Sequence, residues 1–412
     1  MEGLLGINSF LLIVLSTYLF TIKWPLLKNI LWLAFLLRTF TALVHFYIFP
    51  LPDGAADALR FEISTWEISQ LPFINYLNSF GGDSNAFFFT WILSFLYRIF
   101  GRSPLLLQSV SVFAGVLSVI FSYKLSFLIA NDKLKAKQTS LIVALFPTVI
   151  LYSAIILREV YVMMFLLLAL IYFVKWFKFY HFSDGFMSLL FFIPLYFLHG
   201  VHILGAFVIF ITILIITTLG FIDRFKNRII RIPHFFLITT TFITFIVLYT
   251  IIINFNIPYL GKLPDALTIA RILYQNKVTN FGGSVYPNWL SPDSTSALFL
   301  LIIPRLIYFL FSPFLWDIKA INHLLGFVDA LLVLILFYFI IKGLVVKKQN
   351  KTVTILCIIL LPLLITYSWG VGNFGTALRH RSKFIPVFIA ISTIYVPKIT
   401  LTKKSEVPKP NE

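Results

Sequence analysis

The chain has 412 residues, 59% of them hydrophobic and only 12% Asp, Glu, Lys or Arg, about half the charged fraction of an ordinary soluble domain. This composition excludes a water-soluble globular enzyme, and its continuous apolar stretches, at roughly 20 residues per crossing, set a ceiling of about twelve membrane helices. A β-barrel would alternate apolar and polar residues instead. The net charge of +17 falls mostly in short connections between apolar runs, as positive-inside topology requires, so membrane lipids and no nucleic acid are the expected partners. The expected fold is an all-α, polytopic transmembrane helix bundle of about 11 to 13 membrane segments in the cell (inner) membrane.

In chain order, candidate spans cover roughly 4–22, 29–50, 104–130, 139–156, 157–175, 186–200, 201–222, 235–255, 323–342, 352–369 and 383–398. The first run, Leu4 to Phe20, lacks a basic leader and a small-residue cleavage site, so it is expected to be retained. Basic connections at Lys23 and Lys28, Lys133 to Lys137, Lys175 and Lys178, Arg224 to Arg231, Lys342 to Lys351 and Lys398 to Lys404 should all be cytoplasmic. Counting spans between them requires that two further apolar segments, about 86–100 and 297–315, fail to cross. That count places the N-terminus outside and the C-terminus inside. Residues 1–400 form one expected membrane domain, and 401–412 a disordered cytoplasmic tail. Cys357 is the only cysteine, which leaves no disulfide framework and no cysteine metal site.

Four connections then face outward: 50–85, the corner at Arg158 and Glu159, about 257–293, and 370–383. In the first, Asp53, Asp57 and Arg60 share one face if the segment is helical after Pro52, with Glu62 close by. Two carboxylates at that spacing repel unless something compensates them, which suits Asp57 or Asp53 to act as a general base; a solvated amphipathic helix explains them as well. Near the C-terminus, Arg379-His380-Arg381-Ser382-Lys383 packs cations where positive-inside topology disfavours them. An anionic ligand such as a lipid phosphate would offset the cost, arginine offering a paired fork of donors. The alternative is a flipped topology in which the cluster is a cytoplasmic anchor.

Weaker signals lie between. Arg158 and Glu159, and Arg305 beside Pro304, are ionisable groups at membrane depth that face a cavity, a partner or the interface. His199 and His202 flank Gly200 and suit either substrate contact or helix-end hydrogen bonding. Asn280 to Trp289, with Tyr286 inside it, combines glycines, amides and aromatics as a sugar-binding loop or a plain turn would. No phosphate-cradling glycine loop, dinucleotide fingerprint or convincing metal-ligand spacing is present. No cofactor is therefore assigned, a divalent cation remaining an option.

The order of these features resembles the GT-C superfamily of multi-span glycosyltransferases, across most of the chain. The resemblance rests on Asp53, Asp57 and Glu62 in an early outer loop; on Ala144-Leu145-Phe146-Pro147 leading to Arg158-Glu159; on Ser312-Pro313-Phe314-Leu315-Trp316; and on Arg379-His380-Arg381 with Pro386. An extra span before the acidic loop and the lack of a large soluble C-terminal domain depart from the usual pattern. The resemblance implies sugar transfer from a polyprenyl-phosphate-linked donor to a glycan or lipid-linked acceptor on the extracytoplasmic face, in surface polysaccharide biosynthesis. It makes Asp57 or Asp53 the base, and Arg379, His380, Arg381 and Arg158 the holders of the donor lipid phosphate. Arg60, Glu62, Glu159, His199, His202, Tyr286 and Arg305 fall to substrate binding.

O-antigen and capsule polymerases are similar in size, Phe and Ile richness and outer-face arginines, and remain an alternative. A lipid-linked oligosaccharide flippase is the alternative of another class, but it should carry its charges within spans around a central cavity and often shows paired halves.

Overall fold

The computed structural model describes residues 2–80, 87–226, 282–321, 323–346 and 350–397, with isolated positions 239, 246, 273, 274 and 277. Among these the protein is all-helical, without strands, and a lone bridge pairs Val285 with Asn373. The helices are α1 (Glu2–Lys23), α2 (Lys28–Tyr47), α3 (Leu59–Ser69), α4 (Phe73–Asn78), α5 (Phe87–Phe100), α6 (Pro104–Ala130), α7 (Lys133–Leu145), α8 (Pro147–Tyr152), α9 (Glu159–Phe179), α10 (Phe182–Leu190), α11 (Phe192–Leu198) and α12 (His202–Lys226). After an interval outside the described residues come α13 (Thr295–Leu300), α14 (Ile302–Phe311), α15 (His323–Val346), α16 (Lys351–Gly370), α17 (Phe374–Ser382) and α18 (Ile385–Ser392).

Among the described residues, seven helices are long and apolar enough to cross a membrane: α1, α2, α6, α9, α12, α15 and α16. Three of the remaining expected spans are broken. Residues 139–156 divide at Pro147 into α7 and α8, 186–200 into α10 and α11, and 383–398 shortens to α18 behind α17. Apart from positions 239 and 246, the expected span at 235–255 lies outside the described residues, as does the tail at 401–412. The two segments expected not to cross form α5, 14 residues, and α14, 10 residues. At about 1.5 Å per residue neither reaches the roughly 30 Å of a hydrocarbon core as one straight helix.

α6 is the axis of the bundle. Its most apolar stretch is 78% buried, and buried Ser109, Ser111, Ala114, Gly115, Ser118, Ser122 and Ser126 let α1, α2, α7 and α9 pack closely around it. The serine hydroxyls are not loose: Ser118 and Ser122 return hydrogen bonds to carbonyls four residues back. Ser103 caps the start of α6 with Pro104 in the first turn, and Asn131 ends it in the left-handed conformation. Asp132 then accepts from the amides of Leu134 and Lys135 to start α7, which makes a two-residue reversal.

The two ends of the bundle differ in charge. Lys124 lies within electrostatic reach of Lys23 and Lys175, Lys178 donates to the carbonyl of Leu128 and Lys135 to that of Val396. These lysines therefore gather at one end. Following α2, α8, α9, α11, α16 and α17 to their opposite ends leads to Asp53, Tyr152, Arg158, Leu198, Gly370 and Arg379, which meet at the other. With α2 and α6 anchored on the lysine side, reporter fusions after Lys23 and after Ala130 should read one side of the membrane, and fusions at Glu62 and Thr376 the other. Reporters at Glu62 and Thr376 giving opposite readings would break the bundle as described.

Three fully buried arginines close helix ends inside the bundle. Pro147 has no N–H for the carbonyl of Val143, so α7 ends there, and Arg38 of α2 donates to the carbonyls of Val143 and Ala144, each at 3.2 Å. Arg305 of α14 serves the end of α16, donating to the carbonyls of Ser368 at 3.1 Å, Trp369 at 3.2 Å and Val371, and across to Leu290. Arg381 of α17 donates to the carbonyls of Leu310 at 3.1 Å, Ser312 and Gly326, and pairs with buried Asp329 of α15. A cation at a helix C-terminus is favoured by the helix dipole and supplies donors that the last turn lacks. Arg305 and Arg381, expected to touch substrate and lipid phosphate, are occupied in this way.

Candidate active site at the charged end of the bundle

Arg379 is the junction. α17 begins at Asn373, whose side chain accepts from the amide of Thr376, and Arg379 and His380 emerge in its last turn. The start of this helix is strapped by residues 284–286: the amide of Tyr286 donates to Gly372 and that of Phe374 to Ser284, both at 2.9 Å. From this position Arg379 Nε donates to Glu159 Oε1 at 2.8 Å, and its Nη1 pairs with Asp57. Glu159 opens α9, where a carboxylate is favoured by the helix dipole, and is fully buried. Asp57 keeps 46% of its side-chain surface exposed and Arg379 10%.

On the acidic side of this junction stands Asp53, with φ of 61°, a left-handed conformation that Asp tolerates better than most residues. It starts a π-helical turn, Gly54–Ala58, closed by the Ala58 amide on the Asp53 carbonyl at 3.3 Å. Tyr152 donates its hydroxyl to Asp53 Oδ2 at 3.0 Å. Burial raises the Asp53 pKa above the ordinary carboxylate value, with Arg379 and the Tyr152 hydrogen bond opposing. Beneath the turn, His45 Nδ1 accepts the Leu51 amide at 3.1 Å. A Cβ on Gly54 would lie 2.3 Å from the His45 ring, so only glycine admits this approach. Gly54→Ala is therefore expected to displace Asp53; on the catalytic reading proposed below, misplacement of about 1 Å would lower turnover about 10²-fold, with the thermal midpoint measured alongside close to wild type.

The other side of Arg379 is basic. Lys383 Nζ is 2.8 Å from His380 Nδ1, 3.8 Å from Glu159 and 4.9 Å from the Tyr367 ring centroid. The Tyr367 hydroxyl meets His202 Nε2 at 3.2 Å. The His199 ring lies 5.0 Å from Tyr367, 5.3 Å from His380 and 6.2 Å from His202. Arg158 donates to the carbonyl of Leu198 at 3.0 Å and lies 5.5 Å over Phe61. Burial, reinforced by Lys383, holds His199 and His380 well below the ordinary histidine value.

The structure thus brings Asp53, Asp57, Arg158, Glu159, His199, His202, Arg379 and His380 together. It does not bring Arg60, Glu62, Tyr286, Arg305 or Arg381 to them. Glu62 is buried in a bidentate pair with Arg102, at 2.9 and 2.8 Å, and accepts from Tyr97. Arg60 is exposed because the π-helical turn adds a residue per turn and breaks the spacing that put it on one face with Asp53 and Asp57. Tyr286 packs edge-on against Tyr308 inside the strap. Tyr152, Tyr367 and His45 stand outside the sequence-predicted site, and Lys383 enters it only as one cation of a run; a tyrosine at the end of an apolar span, as in Tyr367-Ser368-Trp369-Gly370, is the signal that points to the two tyrosines. Among the described residues no group of three or more His, Cys, Asp or Glu is placed to hold a metal ion.

Comparison of the chain with protein-family models, with curated proteins and with solved structures finds no match in any of the three.

Proposed function

We propose that the protein is an integral membrane glycosyltransferase that takes a sugar from a polyprenyl-phosphate-linked donor at the extracytoplasmic face. The observation that carries this reading is the meeting of Asp53 and Asp57 with Arg379, the last contact closing a separation of 322 residues, at the end of the bundle away from the lysines. Positive-inside topology makes the lysine end cytoplasmic and the site external. A carboxylate beside a cation is what inverting transfer to a hydroxyl requires. The base takes the acceptor proton, the acceptor oxygen attacks the anomeric carbon, and the bond from that carbon to the phosphate oxygen breaks with its electrons leaving on phosphate. Arg379 and Arg158 stabilise that departing charge.

Of the two carboxylates, Asp53 is the better base. Asp57 is held in an ion pair, while Asp53 is shielded, its pKa is raised and its orientation is set by Tyr152. Protonating a base of raised pKa abolishes it at higher pH than usual, so the turnover should fall on the acid side with a midpoint above that of an ordinary aspartate. A pH profile whose acid limb lies below that value would remove Asp53 from the role.

The deciding experiment is the surface glycan profile of a deletion strain. A truncated or undecorated glycan, restored by wild type and not by Asp53→Asn, supports the transferase. A single repeat unit without a ladder would make the protein a polymerase instead, and an unchanged profile would overturn both.

A further inference from the structure

The basic side of Arg379 is built more deeply than displacement of one leaving group requires. Arg158, His199 and His380 each keep part of their surface open, while Lys383, His202 and Tyr367 are buried behind them. The groups come from four elements: Arg158 precedes α9, His199 and His202 flank the start of α12, Tyr367 ends α16, and His380 and Lys383 close α17. Glu159 is the carboxylate in contact with this side, at 3.8 Å from Lys383, and it is shared with Arg379. Asp53 and Asp57 lie across the Arg379 junction. Two further observations point to a missing anion. Nδ1 of His199 and Nδ1 of His202 are both buried without a hydrogen-bond partner, a costly state for a ring nitrogen in so apolar a setting.

We infer that the recess formed by Arg158, His199, His202, Tyr367, His380 and Lys383 is a phosphate-binding subsite whose occupation is coupled to proton uptake by its histidines. The chemistry fits a tetrahedral phosphate oxyanion. Arg158 supplies a fixed cation, Lys383 an ammonium whose pKa burial lowers to about 7 and which an anion would hold charged, and the histidines supply donors that charge only when the anion arrives. Each neutral histidine kept company by Lys383, Arg158 and Arg379 resists a proton; a bound dianion reverses that local field, so anion and proton bind together. The inference deepens the transferase reading and rests on it for the site's purpose, but it is tested by binding alone. It also makes the recess a place where the released lipid phosphate is held after transfer, until the protons are given back.

The test uses the full chain in phosphatidylcholine nanodiscs, titrated calorimetrically at about pH 7 and about pH 8, both above the ordinary histidine value, in buffers of differing ionisation enthalpy. Dodecyl phosphate is the lipid-like probe and inorganic phosphate the free one. Both probes titrate in the same way with every protein, so comparison with His199→Gln, His380→Gln and the double variant isolates the histidines. Wild type is expected to take up about one proton more per bound phosphate than the double variant, and to bind about tenfold more tightly at the lower pH, one linked proton giving that factor per pH unit. Binding of dodecyl phosphate alone would assign the subsite to a lipid headgroup, and equal binding of both probes to the phosphate group itself. Absence of binding by either probe, or proton uptake equal in wild type and folded variants, overturns the inference. If the double variant does not fold, the two single variants carry the same comparison. A wild-type glycan profile in the deletion strain would sink the transferase reading while leaving the binding result standing.

Discussion

On the proposed transferase reading, Asp53→Asn should slow sugar transfer about 10²- to 10⁴-fold, the usual contribution of a general base, with little change in donor binding. Asparagine keeps the shape of the side chain and can still meet the Tyr152 hydroxyl, which lies 3.0 Å from Asp53 Oδ2, but it cannot take a proton. Asp57→Asn should be milder at the chemical step and act on donor affinity, because it removes one of the two carboxylates that orient Arg379. Initial rates with a polyprenyl-phosphate-linked donor, measured as a function of donor concentration, separate these effects. If both variants transfer at near wild-type rates, the acidic side of the site has no part in the chemistry and the arginine-centred polymerase becomes the better reading.

Asp329→Ala is expected to destabilise the protein by about 3–5 kcal/mol, the cost of stranding one member of a buried ion pair. Asp329 and Arg381 are both fully buried, and Thr148 of α8 donates to the other oxygen of Asp329, so the pair ties α15, α17 and α8 together. Against a total stability of about 5–15 kcal/mol this loss should appear as a lower thermal midpoint and poor monodisperse yield. Arg381→Lys should do the same in lesser degree, losing the fork that reaches Leu310, Ser312 and Gly326. Arg379→Lys should instead leave the midpoint nearly unchanged and lower transfer. The two arginines stand two residues apart in one helix, and thermal melting of the variants alongside their transfer rates distinguishes a structural cation from a functional one.

That distinction was beyond the sequence. Arg379 and Arg381 carry the same charge in the same basic run, and nothing in their spacing tells that one reaches a partly exposed carboxylate, Asp57, while the other is spent on buried Asp329 and backbone carbonyls. The site's membership was more legible. Polar residues at the ends of apolar runs, such as Asp53, Asp57, Arg158, Glu159, His199 and His380, converge because consecutive spans alternate direction and so deliver every second connection to the same end. Arg60 shares a face with Asp53 and Asp57 only in an unbroken α-helix, and the π-helical turn Gly54–Ala58 leaves no strong mark in composition. Asp329 and Arg38 are silent in the sequence because a single charge within a long apolar run looks like an ordinary interruption when its partner lies in another helix. The prolines did carry information: Pro147 and Pro313 both follow carbonyls that a buried arginine serves.

Arg38 has a consequence for how the chain is made. It stands in the middle of α2, and a lone arginine at the centre of a membrane helix costs about 2.5–3.5 kcal/mol on insertion. The carbonyls that relieve it belong to α7, about 105 residues further along, a separation given by the Arg38 to Val143 contact. At about 5–20 residues per second the ribosome needs about 5–20 s to deliver them. During that interval α2 is an incompletely satisfied helix, held by its pairing with α1 or retained at the insertion machinery. Nascent chains arrested before Val143 should therefore leave α2 extractable or accessible to reagents that the finished protein excludes, and release of the arrest should lock it in place.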